Sequence, residues 1–127
     1  MKNVLVLDND LYFANAMKIF FQKIGAVCTI SDNGNDAINF ISNNRYDLVI
    51  CCTQLGYKNG IELIQIMKSN LDRNDTPLIL VTPNNNPIMN TMFSELDASA
   101  IIHKPVNFNT LTKILVDLTE NTSSVDL

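Results

Sequence analysis

Five polar or ionisable residues stand at the ends of apolar runs in this chain, where their types and spacing allow chemistry. Each follows or closes a run that predicts a buried strand: Asp8, Asn9, Cys52, Thr82 and Lys104. The carboxyl ends of parallel strands meet at one edge of a sheet, so we expect these side chains to converge. The chemistry open to such a set is metal binding by carboxylates, thiol chemistry at the cysteine, or a structural ion pair.

The elements that must position these residues alternate between strand and helix patterns, which is typical of βα units around a parallel sheet. The predicted strands are near-continuous apolar runs, as expected when helices cover both faces. They are Val4–Leu7, Ala26–Ile30, Asp47–Cys52, Leu78–Val81 and Ala98–Ile102.

Five helices are predicted, each with apolar residues at helical spacing. The first runs from about Leu11 to Ile24 before Gly25, with Asn9 or Asp10 as its cap, and the second carries Ala37, Ile38 and Ile41. The third begins near Gly60 and ends before a polar connection from Ser69 to Thr76. The fourth passes through Met89, Met92, Phe93 and Leu96, and the fifth is capped by Asn107 or Asn109.

This order of elements predicts an α/β fold, a flavodoxin-like, doubly wound, five-stranded parallel sheet of strand order 2-1-3-4-5. Its crevice would lie at the carboxyl ends of the strands, beside the first and third. We expect one domain over residues 1–120, followed by a polar tail or linker start over residues 121–127.

Composition excludes several classes of protein. The 127 residues carry a net charge of −4 with nine scattered basic residues, which argues against direct binding of nucleic acid. No apolar stretch approaches the roughly 18 residues of a membrane span. Three cysteines are too few for a secreted disulfide framework, and the start of the chain enters a strand pattern directly. We therefore expect reduced thiols and a cytoplasmic location.

The segments around Cys52 carry a family resemblance. They resemble the third strand, loop and third helix of response-regulator receiver (CheY-like) domains: Tyr46-Asp47-Leu48-Val49-Ile50, Thr53-Gln54-Leu55 and Asn59-Gly60-Ile61-Glu62-Leu63. The resemblance extends from Val4 to about Leu118. It implies that Cys52 occupies the position of the phosphoacceptor aspartate.

The same resemblance assigns the other strand-end residues to a degenerate phosphorylation site. Asp8 and Asn9 match the family's acidic pair, Thr82 its threonine or serine, and Lys104-Pro105 its lysine and proline, whose peptide bond is typically cis. Asn9 and Cys52 depart from the pattern. Lys104 is then expected to pair with Asp8 in a structural remnant of the site.

Two further consequences concern magnesium and switching. Magnesium prefers oxygen ligands, so with Asn9 neutral and Cys52 soft we expect weak or absent binding, with Asp8 and Asp10 as weak candidates. The interpretation of Asp10 as a helix-start residue is favoured. Ile101 stands at the family's aromatic switch position, so coupling to the face of the fourth and fifth helices would be lost or differently triggered.

The function implied is a non-phosphorylatable receiver domain that acts as a protein-interaction module in two-component-type signalling. It would be no enzyme and would need no cofactor. Partner classes are a histidine kinase, an effector domain or a second receiver, with a homodimer through the fourth and fifth helices. Two alternatives stay open: a thiol-based redox sensor using Cys52, and a residual phosphoryl-accepting receiver using Asp8 and Asp10.

Other reactive residues favour structural interpretations. Cys51 and Cys52 are adjacent in a strand and point to opposite faces, while Cys28 lies two strands from the third, roughly 10 Å away. An internal disulfide is therefore disfavoured. His103 has no partner in a recognisable motif and is interpreted as structural.

Overall fold

The strands of the fold form one parallel sheet. In the computed structural model, which describes residues 1–53, 60–72, 75–83, 91, 95 and 98–125, the sheet has the order β2-β1-β3-β4-β5. The strands are β1 Asn3–Leu7, β2 Val27–Ser31, β3 Leu48–Cys52, β4 Leu78–Thr82 and β5 Ala100–His103. The predicted fold class and strand order are confirmed, and each strand lies within two residues of its predicted bounds.

Helices occupy both faces of the sheet. The described residues hold four: α1 Leu11–Lys23, α2 Gly34–Asn43, α3 Gly60–Asp72 and α4 Phe108–Val125. The last of these is the fifth helix of the sequence prediction. The predicted fourth helix rested on Met89, Met92, Phe93 and Leu96, which lie outside the described residues.

Two details of the predicted helices were wrong. Ile24 is exposed instead of buried in the α1 face, because the helix ends at Lys23 and Gly25 takes the left-handed conformation with φ of 82°. α3 continues to Asp72, since Leu71 extends its buried stripe and is itself buried. α4 continues to Val125, and the predicted start of a polar tail or linker at residue 121 stays a prediction.

Alternate residues of each strand enter two cores. One core joins the sheet to α2 and α3, and contains Leu5, Leu7, Val49, Cys51, Leu78 and Leu80 from the strands. The other joins the sheet to α1 and α4, and contains Val4, Val6, Leu48, Ile50, Ile79 and Val81. The alternation follows from the two-residue period of a strand, so the sheet is covered on both faces.

All three cysteines are buried free thiols. Cys51 lies in the core with α2 and α3, and Cys28 lies on β2, which β1 separates from β3. Burial raises the pKa of Cys28 to about 11 and also raises that of Cys51. Neither thiol is therefore suited to nucleophilic chemistry near neutral pH.

The carboxyl ends of β1, β3, β4 and β5 lie level with one another, at the end of the sheet where the site was expected. Leu7 pairs with Cys51, Cys52 with Val81 and Thr82 with His103 in the sheet register. The residues that follow the strands are thus presented along one edge. Within the described residues, no helix has the length and apolar character required to cross a membrane.

Asp47 stabilises the opposite end of the sheet, where the strands begin. Its Oδ2 accepts hydrogen bonds from the backbone N–H groups of Lys2 and Asn3, at 2.8 and 2.9 Å. The bond from Asn3, followed by that from Lys2, lowers the pKa of the Asp47 carboxyl. The carboxylate thereby holds the start of β1 beside the start of β3.

We expect Asp47→Ala to lower the free energy of unfolding at pH 7 by about 1 kcal/mol or less, since both bonds are exposed. A carboxyl whose pKa is lower in the folded chain stabilises the fold above its unfolded pKa of about 3.9. The difference between wild type and variant should shrink as the pH falls through and below that value. Urea unfolding at pH 7 and pH 3 measures it, with Asp117→Ala on the exposed face of α4 as control. An equal difference at both pH values would contradict the assignment.

Candidate functional site

The turn between β1 and α1 supplies the acidic part of the site. Asp8 directly follows β1 and is 0% exposed. Its backbone N–H donates to the carbonyl of Ser31 at 3.0 Å, and its Oδ1 accepts from the N–H of Asp10 at 2.8 Å. The carboxylate is therefore fixed beneath the turn.

Asp10 begins helix α1, as the sequence predicted. Its Oδ1 accepts from the N–H groups of Tyr12 and Phe13, at 3.1 and 3.3 Å. The bond from Phe13 is the main cause that lowers the pKa of the Asp10 carboxyl, and Lys104 lowers it further. Asn9, the other candidate cap, is exposed.

Lys104 lies against both carboxylates. Its Nζ is 2.9 Å from Oδ2 of Asp8 and 3.3 Å from Oδ2 of Asp10, and 4.6 Å from the centre of the Phe13 ring. Burial alone would lower the pKa of Lys104, but its hydrogen bond to Asp8 and the charge of that carboxylate outweigh it and raise the pKa. The predicted pairing of Lys104 with Asp8 is confirmed.

Lys104 directly follows β5, which lies three positions from β1 in the sheet. Its N–H donates to the carbonyl of Thr82 at 2.9 Å, which continues the pairing of β5 with β4 by one residue. The Lys104–Pro105 peptide bond is cis. The side chain of Lys104 thus extends from the end of β5 to the Asp8 carboxylate that follows β1.

Cys52 and Thr82 close the neighbouring strands β3 and β4, which lie between those two ends. Each is 4% exposed. The N–H of Thr53 donates to the carbonyl of Val81 at 2.9 Å, so the two strands stay paired up to the site. Cys52 makes a small electrostatic contribution that raises the pKa of Lys104, after the larger effects of burial and Asp8.

The site lies at the carboxyl ends of a parallel sheet, and comparison with known proteins identifies the family of the chain. The family model for the response regulator receiver domain matches residues 4–116. The chain belongs to this family.

Relatives of this receiver domain include parts of longer signalling proteins. It is 29% identical over 117 residues to the autoinducer 2 sensor kinase/phosphatase LuxQ of Vibrio parahaemolyticus, a match that covers 92% of this chain and 13% of LuxQ. It is 23% identical over 105 residues to the regulator of RpoS of Escherichia coli, covering 83% of this chain and 31% of that protein. The chain therefore spans less than a third of either relative.

A solved structure gives the same fold for the receiver domain. The CheY-like receiver domain protein from Methanospirillum hungatei superposes with a TM-score of 0.84 at 24% identity, covering 98% of each chain. At this level of identity the likeness supports the architecture, and the chemistry of the site has to be argued from its own residues.

Ile101, the predicted switch position, and His103, which was interpreted as structural, both lie on β5. Ile101 is half-buried and packs against the core of α2 and α3. His103 is half-buried beside Thr82 in the register, with its Nδ1 atom buried. Across the described ranges, no group of three or more histidine, cysteine, aspartate or glutamate residues is arranged to hold a metal ion.

Two features of the receiver site were missed in the sequence. These are the ring of Phe13 against Lys104 and the contact between Lys104 and Asp10, which are 94 residues apart. A signal for Phe13 existed, because it lies three residues after the cap and so returns to the same side of the helix start. Nothing local in the sequence marks the Asp10 contact.

We expect Lys104→Met to destabilise the receiver domain by roughly 2–4 kcal/mol, because it leaves the buried Asp8 carboxylate unpaired. Asp8→Asn should also destabilise it. The double variant should lose less than the sum of the two, since neither charge then remains without its partner.

Urea unfolding at pH 7 of all four proteins measures this coupling. Lys113→Met, on an exposed position of α4, serves as the control for loss of a lysine charge. Additivity of the two single effects within about 0.5 kcal/mol would show that the ion pair contributes no coupling.

Proposed function

We propose that this chain is an atypical receiver domain that cannot be phosphorylated and that acts as a protein-interaction module in two-component-type signalling. It would perform no enzymatic reaction of its own. The observation that carries the proposal is Cys52 at the end of β3, where the family pattern has the phosphoacceptor aspartate. A thiol there cannot form the aspartyl phosphate on which receiver signalling depends.

The donor set argues against a resident magnesium ion. Magnesium requires several oxygen ligands in near-octahedral geometry, and a thiol is a poor substitute. Asn9 is exposed, and the Oδ2 atoms of Asp8 and Asp10 are both bound to the ammonium of Lys104. We therefore propose that magnesium binding is weak or absent.

The residual phosphoryl-accepting alternative requires Asp8 or Asp10 as the nucleophile. Asp8 is wholly buried and both of its oxygens are engaged, by the N–H of Asp10 and by Lys104. Both oxygens of Asp10 are also engaged, by the start of α1 and by Lys104. These contacts favour a structural role for both carboxylates.

Output would then depend on partner binding. Ile101 cannot reorient as the family's aromatic switch residue does, and it packs into the core of α2 and α3.

The proposed partner classes are a histidine kinase, an effector domain or a second receiver, in the cytoplasm. The relative LuxQ is named as a sensor kinase/phosphatase, and the match covers 13% of it. This likeness supports a kinase as one of the proposed partners. A homodimer face built from the predicted fourth helix falls outside the described residues.

The thiol-based redox alternative is disfavoured by burial. Cys52 is 4% exposed, whereas redox-sensing cysteines are accessible. We expect a small alkylating reagent to modify the native chain on the order of 100-fold more slowly than the urea-unfolded chain, because reaction requires local opening. Mass spectrometry of reacted protein over time measures this. A fast-reacting thiol that disappears in Cys52→Ser would favour the redox sensor instead.

Intact mass after incubation with magnesium and acetyl phosphate tests the main proposal. We expect wild type to keep its mass. The variant carrying Cys52→Asp and Asn9→Asp should gain one phosphoryl group, because it restores the nucleophile and the acidic pair on a retained Thr82 and Lys104.

Matched variants separate the contributions. Cys52→Ser removes the thiol without supplying a carboxylate and should stay unmodified, and Cys52→Asp alone tests whether Asn9 is limiting. Omission of magnesium should abolish any modification of the double variant. A phosphoryl adduct on wild type would overturn the proposal, and peptide mapping would then locate the accepting residue.

A further inference from the structure

The two carboxylate oxygens of Asp10 contact different parts of the fold. Oδ1 accepts from the N–H groups of Tyr12 and Phe13 and so caps α1. Oδ2 lies 3.3 Å from the Nζ of Lys104, which follows β5. One side chain thus joins the first turn of a helix to the last strand of the sheet.

Lys104 restrains the same turn through two other contacts. It binds Asp8 Oδ2, and Asp8 Oδ1 accepts from the N–H of Asp10, so Lys104 holds the segment before the cap. It also lies 4.6 Å from the centre of the Phe13 ring, within the first turn itself. Removal of the ammonium would release Asp8, Asp10 and Phe13 together.

The first turn of α1 has an exposed apolar surface. Leu11 is 63% exposed and Tyr12 is 91% exposed. The N–H of Tyr12 is one of the groups that Asp10 caps. A change in the capping of this turn would therefore alter how these two side chains are presented.

We propose that Asp10 is a positioning residue that couples the position of Lys104 to the order of the first turn of α1. A binding partner that draws Lys104 out of the crevice with an anionic group loosens that turn and changes the surface formed by Leu11 and Tyr12. The inference rests on the proposed function in one respect: a binding partner acts on Lys104, and an aspartyl phosphate does not. It differs from the family's aromatic switch, because Ile101 has no aromatic ring.

Amide hydrogen exchange measured by NMR on wild type and Lys104→Gln tests the coupling. The Asp36 amide on α2 is the matched control, capped at 2.9 Å by Asn33, and its exchange reports the general loss of stability that follows from leaving Asp8 unpaired. Relative to this control, we expect the Tyr12 and Phe13 amides to exchange about twofold to fivefold faster in the variant, the range expected for loss of the exposed ion pair between Asp10 and Lys104.

Asp10→Ser provides the second arm, and it keeps the test valid if Lys104→Gln unfolds. Serine can cap the helix but presents no carboxylate to Lys104. We expect the Lys104 side-chain ammonium signal to shift in Asp10→Ser. Adding Lys104→Gln to this variant should raise the Tyr12 and Phe13 exchange rates by less than it does in wild type, because the link through Asp10 is already absent while the contacts of Lys104 with Asp8 and Phe13 are still lost.

Wild-type exchange rates for Tyr12 and Phe13 in a folded Lys104→Gln protein would overturn the inference. So would an unchanged Lys104 signal in Asp10→Ser, or an increase in exchange on adding Lys104→Gln to it that is as large as the increase in wild type. A phosphoryl adduct on wild type would refute the proposed function and leave these exchange results as they stand. The two failures are therefore distinguishable.

Discussion

The buried carboxylate of Asp8 constrains the rest of the site. Placing an unpaired charge in a protein interior costs several kcal/mol, so the wholly buried Asp8 requires a cation. That cation comes from Lys104, after a strand three positions along the sheet, about 14 Å at roughly 4.8 Å per strand. The pair forms only if β3 and β4 end level with β1 and β5. The sheet register and the ion pair therefore depend on each other.

Charge balance relates this pair to the proposal that Cys52 occupies the position of the family's phosphoacceptor aspartate. The family pattern has three carboxylates here, an acidic pair and the phosphoacceptor, and a divalent cation offsets them. Asn9 and Cys52 remove two negative charges, the same number that a magnesium ion supplies. One carboxylate of the three remains, Asp8, and both it and the neighbouring Asp10 contact Lys104. The crevice is thus stabilised by a side chain of the chain itself.

The sequence predicted the sheet well because buried parallel strands are continuous apolar runs, and five βα units of this size suit the order 2-1-3-4-5. The contact of Asp8 with Lys104 was predicted from the family resemblance. Helix ends were less predictable: Ile24 fits the helical spacing of α1, yet the backbone at Gly25 turns away before Ile24 can pack. The contacts of Lys104 with Asp10 and Phe13 join residues about 90 positions apart. Local propensity and periodicity carry no information about such contacts.

Under the proposed function the crevice accepts no phosphoryl group and cannot change its own charge, which limits how this receiver can switch. A ligand shifts a conformational equilibrium only by its difference in affinity for the two states. Lys104 is held by Asp8, Asp10 and Phe13, so the proposed switch requires a partner that offers Lys104 a better anion or binds the loosened turn of α1. Under that proposal signalling depends on the concentration and affinity of the partner, and a kinase would act on the domain by binding.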